Sequence, residues 1–213
     1  LGHTRLAIQD LSSAGSQPMT SNDKELSIIF NGEIYNFPLL KKQLLSLGYT
    51  FKSNTDTEVI LYLYEEYHTD CFKMLDGIFA IAIFDAKKNE LIVARDGLGV
   101  KPLYYFNNNS KFIFASEIKA IEKLLSNDNL SLDSDSINRY LTFQWCPGQG
   151  TPYNEIKKHN PGEILIIRDG VIVDKKIFYQ LPIVRNNKKN KIDSVEEVVS
   201  DLDGNLRRAI HDQ

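Results

Sequence analysis

The sequence predicts an α+β protein of layered antiparallel sheets flanked by helices, and three observations carry that expectation. Apolar runs at 78–84 and 91–94, at 103–106 and 112–115, and at 162–167 and 171–173 come in pairs joined by short polar turns, the pattern of successive hairpins. The first of these runs are nearly continuous rather than alternating, so their strands need cover on both faces and the sheets must be sandwiched by other layers. Hairpins rather than long crossovers link the strands, which argues against a parallel doubly wound sheet.

In chain order, 26–30 reads as the first strand, stopping at Asn31-Gly32, a dipeptide that between apolar runs ordinarily marks a tight hairpin turn. Residues 38–47 set Leu39, Leu40, Leu44, Leu45 and Leu47 at the spacing of a helix face that Gly48 ends. A short strand is expected at 49–52. Thr55-Asp56-Thr57-Glu58 reads as a capping box, with Thr55 as N-cap and Glu58 reaching back, opening a helix through Tyr67. Beyond the first two hairpins, 117–125 and 134–143 are helical by period, and Arg168-Asp169-Gly170 turns the last hairpin. An Asn/Lys-rich stretch opening at Asn186 marks a boundary, so 1–185 is expected as one domain and 186–213 as a linker with an amphipathic helix. In that helix Val195, Val198, Val199, Leu202, Leu206, Ala209 and Ile210 share one stripe despite Gly204, and so much apolar surface expects a partner.

Composition excludes several function classes. With 213 residues, 42% hydrophobic and 25% charged, the chain can bury a sizeable core and is neither disordered nor fibrous. A formal net charge of −3 with scattered lysines gives no footprint for nucleic acid, and the cluster at 186–191 reads as a solvated linker. No run approaches the 18 or more apolar residues of a membrane helix and no signal peptide is evident, so a cytoplasmic setting is expected. Cys71 and Cys146 are too few for a disulfide framework, have no zinc-binding spacing, and read as packing residues. Gly97-Leu98-Gly99 lacks the third glycine and following helix of a dinucleotide loop.

The chemistry concentrates at Asn31-Gly32. A glycine N–H and a neighbouring Asn amide can converge on one oxygen, and such an oxyanion hole is worth roughly 2.7–4 kcal/mol of transition-state stabilisation per donor in acyl transfer. Four further segments accompany it: Leu1-Gly2-His3-Thr4-Arg5-Leu6-Ala7-Ile8-Gln9-Asp10, Ser53-Asn54-Thr55-Asp56-Thr57-Glu58, Ala94-Arg95-Asp96-Gly97-Leu98-Gly99-Val100-Lys101-Pro102-Leu103-Tyr104-Tyr105, and Phe114-Ala115-Ser116-Glu117-Ile118-Lys119-Ala120. In this order, over residues 1–169, they resemble the glutamine-hydrolysing domain of class II glutamine amidotransferases, on the branch of the glutamine-dependent asparagine synthetases.

The resemblance implies an N-terminal-nucleophile hydrolase-like α/β/β/α sandwich, here lacking its first segment. It implies that Arg5 holds the α-carboxylate of glutamine, bidentately as a guanidinium can. Asp56 would face the α-ammonium, with the Glu33 backbone carbonyl as a further acceptor. Asn31 Nδ2 and the Gly32 N–H would meet the oxyanion, and backbone groups of Ile8 and Gln9 would line the pocket. Arg95, Asp96 and Lys101 read on physical grounds as an ion-paired hairpin brace outside the site. The family nucleophile is an N-terminal cysteine whose own α-amine is the base; this chain begins with Leu1, so as it stands it is expected not to hydrolyse glutamine. No metal is expected in this domain. ATP and Mg are expected in a C-terminal synthetase domain acting in cis, and a homodimer is admitted. The acceptor is expected to be aspartate; a sugar uronate or secondary metabolite, or a catalytically silent glutamine-binding or docking module, are the alternatives.

Overall fold

The layers follow from one strand, β3 (Gly77–Asp85), in which residues 79–83 are all buried. Side chains alternate across a sheet, and here Phe79, Ile81 and Ile83 enter one core while Ala80 and Ala82 enter another. Large residues on one face and small ones on the other already distinguish the two sides. The computed structural model describes residues 1–5, 10, 12–108, 110–125, 130–182 and 194–212. They divide into two compact units, Leu1–Gln180 and Leu181–Gln213.

In the first unit, β1 (Met19–Thr20), β2 (Leu26–Ile34), β3, β4 (Glu90–Arg95), β8 (Glu163–Arg168) and β9 (Val171–Ile177) form a six-stranded antiparallel sheet in that spatial order. A second antiparallel sheet has the order β6 (Lys111–Ala115), β5 (Tyr104–Asn108), β7 (Ile156–Lys158). Helices α1 (Phe37–Ser46) and α2 (Asp56–Tyr67) bury Leu40, Leu44 and residues 59–64 against the first sheet. Leu103 and Tyr105, with Phe112 and Phe114, pack between the sheets against Ala80, Ala82, Val93 and Leu165. Phe106 and Ile156 turn the other way, onto Ile121 of α3 (Ile118–Leu124) and the adjacent Leu125. The result is helix, sheet, sheet, helix, the α+β architecture the sequence predicts.

Four local expectations change. The first strand does not stop at Asn31-Gly32: β2 runs on to Ile34, pairing Asn31 with Ala80 and Gly32 with Phe79. The glycine is needed there for closeness rather than for a turn, since a Cβ on Gly32 would lie 2.0 Å from the Ile78 carbonyl oxygen, and one on Gly77 2.2 Å from that of Glu33. Residues 49–52 form no strand; Tyr49 and Phe51 instead place their rings 5.1 and 5.3 Å from that of Tyr62 on α2. On α1 only Leu40 and Leu44 are buried, while Leu39, Leu45 and Leu47 are exposed. Thr55 caps α2 by accepting the Glu58 N–H at 3.4 Å, but the Glu58 carboxylate does not close the box. It accepts from the backbone of Lys52 and Ser53 and from the hydroxyls of Ser53 and Tyr62.

Helix α4 (Ser134–Phe143) is capped by Asp133 and exposes Tyr140, Leu141 and Phe143. The second unit contains α5 (Val195–Asp212), on which Val195, Val198, Val199, Leu202, Leu206 and Ile210 are exposed as a stripe. The boundary expected at Asn186 lies outside the described residues. Among the described residues no helix is long and apolar enough to cross a membrane.

Candidate active site

Strand β2 has one edge in the ladder with β3 and one edge that β1 covers only as far as Ile28. Along a strand, alternate residues direct their N–H and C=O groups to the same edge. On the outer edge the Phe30 N–H donates to Gln17 Oε1 at 2.6 Å and the Ile34 N–H to Asp56 Oδ2 at 3.1 Å. Gly32 lies between them, so its N–H points to that same edge. Asn31, of opposite parity, shares the face of Ile29, which packs toward the second sheet. Both donors front a cleft of about 1000 Å³.

Arg5, Asn31, Gly32, Glu33 and Asp56 all line this one cleft, together with Gln17, Thr57, Ala80, Ala82 and Lys101. The structure therefore brings together every described residue expected at the site; Ile8 and Gln9 lie outside the described residues. Arg5 is held by its own loop, Nη1 donating to the Ser12 carbonyl at 3.1 Å and Nη2 to that of Asp10. Among the described residues these two bonds use the smaller part of a guanidinium's five N–H donors. Gly15 permits the arrangement, because a Cβ there would lie 2.5 Å from Arg5 Nη2 and 2.9 Å from Thr55 Cγ2. Asp10 ties the loop down, accepting the Asn54 N–H at 3.1 Å and the Ser12 N–H at 2.9 Å. Bonds from the Ser12 side chain and from these amides draw its carboxyl down to about 2.

Asp56 is the electrostatic anomaly of the cleft. It opens α2 and is 6% exposed. Burial pushes its carboxyl up to about 6; the Ile34 and Thr57 amides oppose that rise and the nearby Glu33 carboxylate reinforces it. A desolvated carboxylate beside another negative charge favours a cation at that point. Glu33 contributes differently from expectation. Its backbone carbonyl lies against Gly77 on the ladder side of β2, so the side chain, not the carbonyl, is what bears on Asp56. His3 also lines the cleft; burial is the main cause of its lowered pKa, and its Nδ1 is buried without a partner among the described residues.

The brace expected of Arg95 and Asp96 exists, but it is built on backbone rather than on an ion pair. Arg95 donates to the carbonyls of Lys101, His159 and Gly99 at 2.6–2.7 Å, and Asp96 accepts from the amides of Phe79, Leu98, Val100 and Lys101. Lys101, assigned to that brace, also reaches the cleft. Cys71 is buried in the helix-side core, where burial raises its thiol pKa, and neither it nor Cys146 lines the cleft. The sequence reading missed Gln17, Gly15 and Asp10. Each acts through contacts with residues distant in the chain, Gln17 with Phe30 and Thr57, Asp10 with Asn54 and Gly15 with Thr55, and carries no periodic signal.

The first unit is thus a helix-sheet-sheet-helix sandwich with a cleft at the open edge of β2. Solved structures share that fold: glutamine phosphoribosylpyrophosphate amidotransferase from B. subtilis gives a TM-score of 0.60 at 24% identity, covering 84% of this chain and 34% of its own. The glutamine amidotransferase domain family matches residues 1–179, and the chain belongs to it. Asparagine synthetase (glutamine-hydrolyzing) 1 of Bacillus subtilis is 39% identical over 178 residues, 83% of this chain and 28% of that protein. A putative asparagine synthetase (glutamine-hydrolyzing) 2 of Methanocaldococcus jannaschii is 35% identical over 219 residues, 94% of this chain and 42% of that protein. Amidase chry2 of Gibberella zeae is 32% identical over 182 residues, 85% of this chain and 26% of that protein. The chain thus spans less than half the length of each of these relatives.

Proposed function

We propose that this chain is the glutaminase part of a glutamine-dependent asparagine synthetase, releasing ammonia from glutamine for the ATP-dependent amidation of aspartate by a synthetase domain of the full-length protein. The observation that carries the reading is the convergence of a guanidinium, two amide donors and a desolvated carboxylate on one cleft. Arg5 binds the α-carboxylate. The ammonium sits between Asp56 and Glu33, which restores to Asp56 a counter-charge. So anchored, the substrate extends its side-chain amide toward Asn31 and Gly32.

A thiolate attacks the amide carbon, the carbonyl oxygen takes up the negative charge, and Asn31 Nδ2 with the Gly32 N–H stabilise it. Collapse expels the amide nitrogen, protonated on leaving, as ammonia. Water then cleaves the thioester to glutamate and regenerates the thiol. Neither cysteine of this chain lines the cleft, so the thiol is one that these 213 residues do not supply. ATP and magnesium enter the proposal only at the synthetase domain. The Gibberella zeae relative is named an amidase and not an asparagine synthetase, so the relatives' names do not all point to aspartate, and the second reading takes another carboxylic acid as acceptor.

The test uses the full-length protein and compares glutamine with free ammonia as nitrogen donor. Asn31→Ala should lower glutamate release about 100-fold while leaving glutamine binding and ammonia-dependent amidation near the parent's; unchanged turnover removes Asn31 from the oxyanion hole. Arg5→Lys should reduce kcat/KM for glutamine about 10-fold or more, because a point charge cannot reproduce the fork, and an equal loss with ammonia would contradict the assignment. Glutamine binding without any glutamate release in the parent would identify a silent binding module. ATP turnover that responds to another carboxylic acid but not to aspartate would select the second reading.

A further inference from the structure

The ladder between β1 and β2 pairs Met19 with Ile28 and Thr20 with Ser27. Extended by two residues, the same register sets Gln17 opposite Phe30. At this point a side chain replaces the backbone. Gln17 Oε1 accepts the Phe30 N–H at 2.6 Å while Nε2 donates to the Phe30 carbonyl at 3.2 Å, so one carboxamide satisfies both polar groups of the residue before Asn31. Nε2 also reaches Thr57 Oγ1 at 3.4 Å, on the residue after Asp56. Gln17 therefore joins the strand that carries the two amide donors to the helix start that carries the buried carboxylate, alongside the direct bond from the Ile34 N–H to Asp56.

We infer that Gln17 is a positioning residue for glutamine hydrolysis, holding the Asn31-Gly32 donors at a fixed separation from Asp56 without touching the substrate. The inference rests on the proposed function. Glutamine has its ammonium at one end and its reacting carbonyl at the other, so a shift of β2 relative to α2 moves the oxyanion donors while the ammonium stays anchored. A misplacement of about 1 Å can lower turnover about 100-fold. Binding, which depends on Arg5 and Asp56, changes far less. Two side chains tie β2 to the start of α2: the Asp56 carboxylate, through the Ile34 N–H, holds the far side of Gly32, and Gln17 holds the near side.

The decisive experiment measures steady-state glutaminase and ammonia-dependent activity of the full-length protein carrying Gln17→Met, which keeps the shape and removes the carboxamide. The expected result is a 10- to 100-fold fall in kcat for glutamine, a change in KM within about threefold, and ammonia-dependent turnover equal to the parent's. Thr57→Val removes only the cross-link to α2 and should give a smaller fall in kcat of about threefold to tenfold with the same KM. If Gln17→Met lowers both nitrogen-donor activities together with the melting temperature, and Thr57→Val leaves glutamine kcat intact, Gln17 is merely structural and the inference fails. Full glutamine kcat in Gln17→Met, in a background where Asn31→Ala is impaired, overturns the inference alone. A parent protein that releases no glutamate from glutamine overturns the proposed function and this inference with it.

Discussion

Asp96 and Asp56 are both buried aspartates beside the same sheet, yet their surroundings differ in kind. Asp96, 1% exposed, accepts four backbone N–H groups, from Phe79, Leu98, Val100 and Lys101, at 2.9–3.3 Å. Glu58 is similar, with two amides and two hydroxyls around its carboxylate. Asp56 receives one bond from outside its own turn, the Ile34 N–H, and burial lifts its carboxyl to about 6. A saturated buried carboxylate is an internal fastener, whereas an under-satisfied one at a cleft has lone pairs that a cation can engage. The number of donors around each group, not its burial, separates the two roles.

The comparison breaks most visibly at Asp96. Asp96→Ala removes the acceptor of four backbone donors, one buried at Phe79 and three half-buried in the 97–101 loop, and should cost about 4 kcal/mol, read as a shift in the urea midpoint; a loss under about 1 kcal/mol would show that the loop does not depend on it. Glu58→Ala should follow at about 3 kcal/mol. Asp56→Asn should act in the opposite direction and sharpens the contrast through pH. The folded-state pKa of Asp56 lies above its unfolded value near 3.8, so its contribution to stability is fully present below pH 4 and is lost as pH rises through about 6. Relative to the parent, Asp56→Asn should therefore be near neutral at pH 4 and more stable by up to about 3 kcal/mol at pH 7.5, about two pKa units at 1.36 kcal/mol each. It should also abolish the use of glutamine at any pH. A variant destabilised equally at both pH values would mean that the Asp56 carboxylate is a fastener like the other two.

The hairpins were legible because β3, β4, β5, β6 and β8 carry apolar runs that only strands covered on both faces can bury, and Thr55 declared the start of α2. Residues 49–52 misled because Tyr49 and Phe51 alternate as a strand would, while no neighbouring edge was there to pair with; Tyr62 received the rings instead. Asn31-Gly32 carries a local turn signal that long-range pairing with residues 79–80 overrides. The charges of the cleft, Arg5 and Asp56, were readable through their motifs. What supports them was not: Gln17 and Gly15 serve contacts with residues distant in the chain that no short-range pattern announces. The leucines of α1 show the converse, a periodicity clear in the sequence and only half used in the fold.

The uneven faces of β3 have a consequence for what the cleft can accept. Ala80 and Ala82 form part of its floor, opposite the bulky Phe79, Ile81 and Ile83 on the helix side. Room in the chamber is thus made by methyl groups that are not there. Exchanging either alanine for a branched residue would raise the floor while every charge and amide kept its post, so the size of the guest and the chemistry offered to it are tuned by separate letters of the same strand.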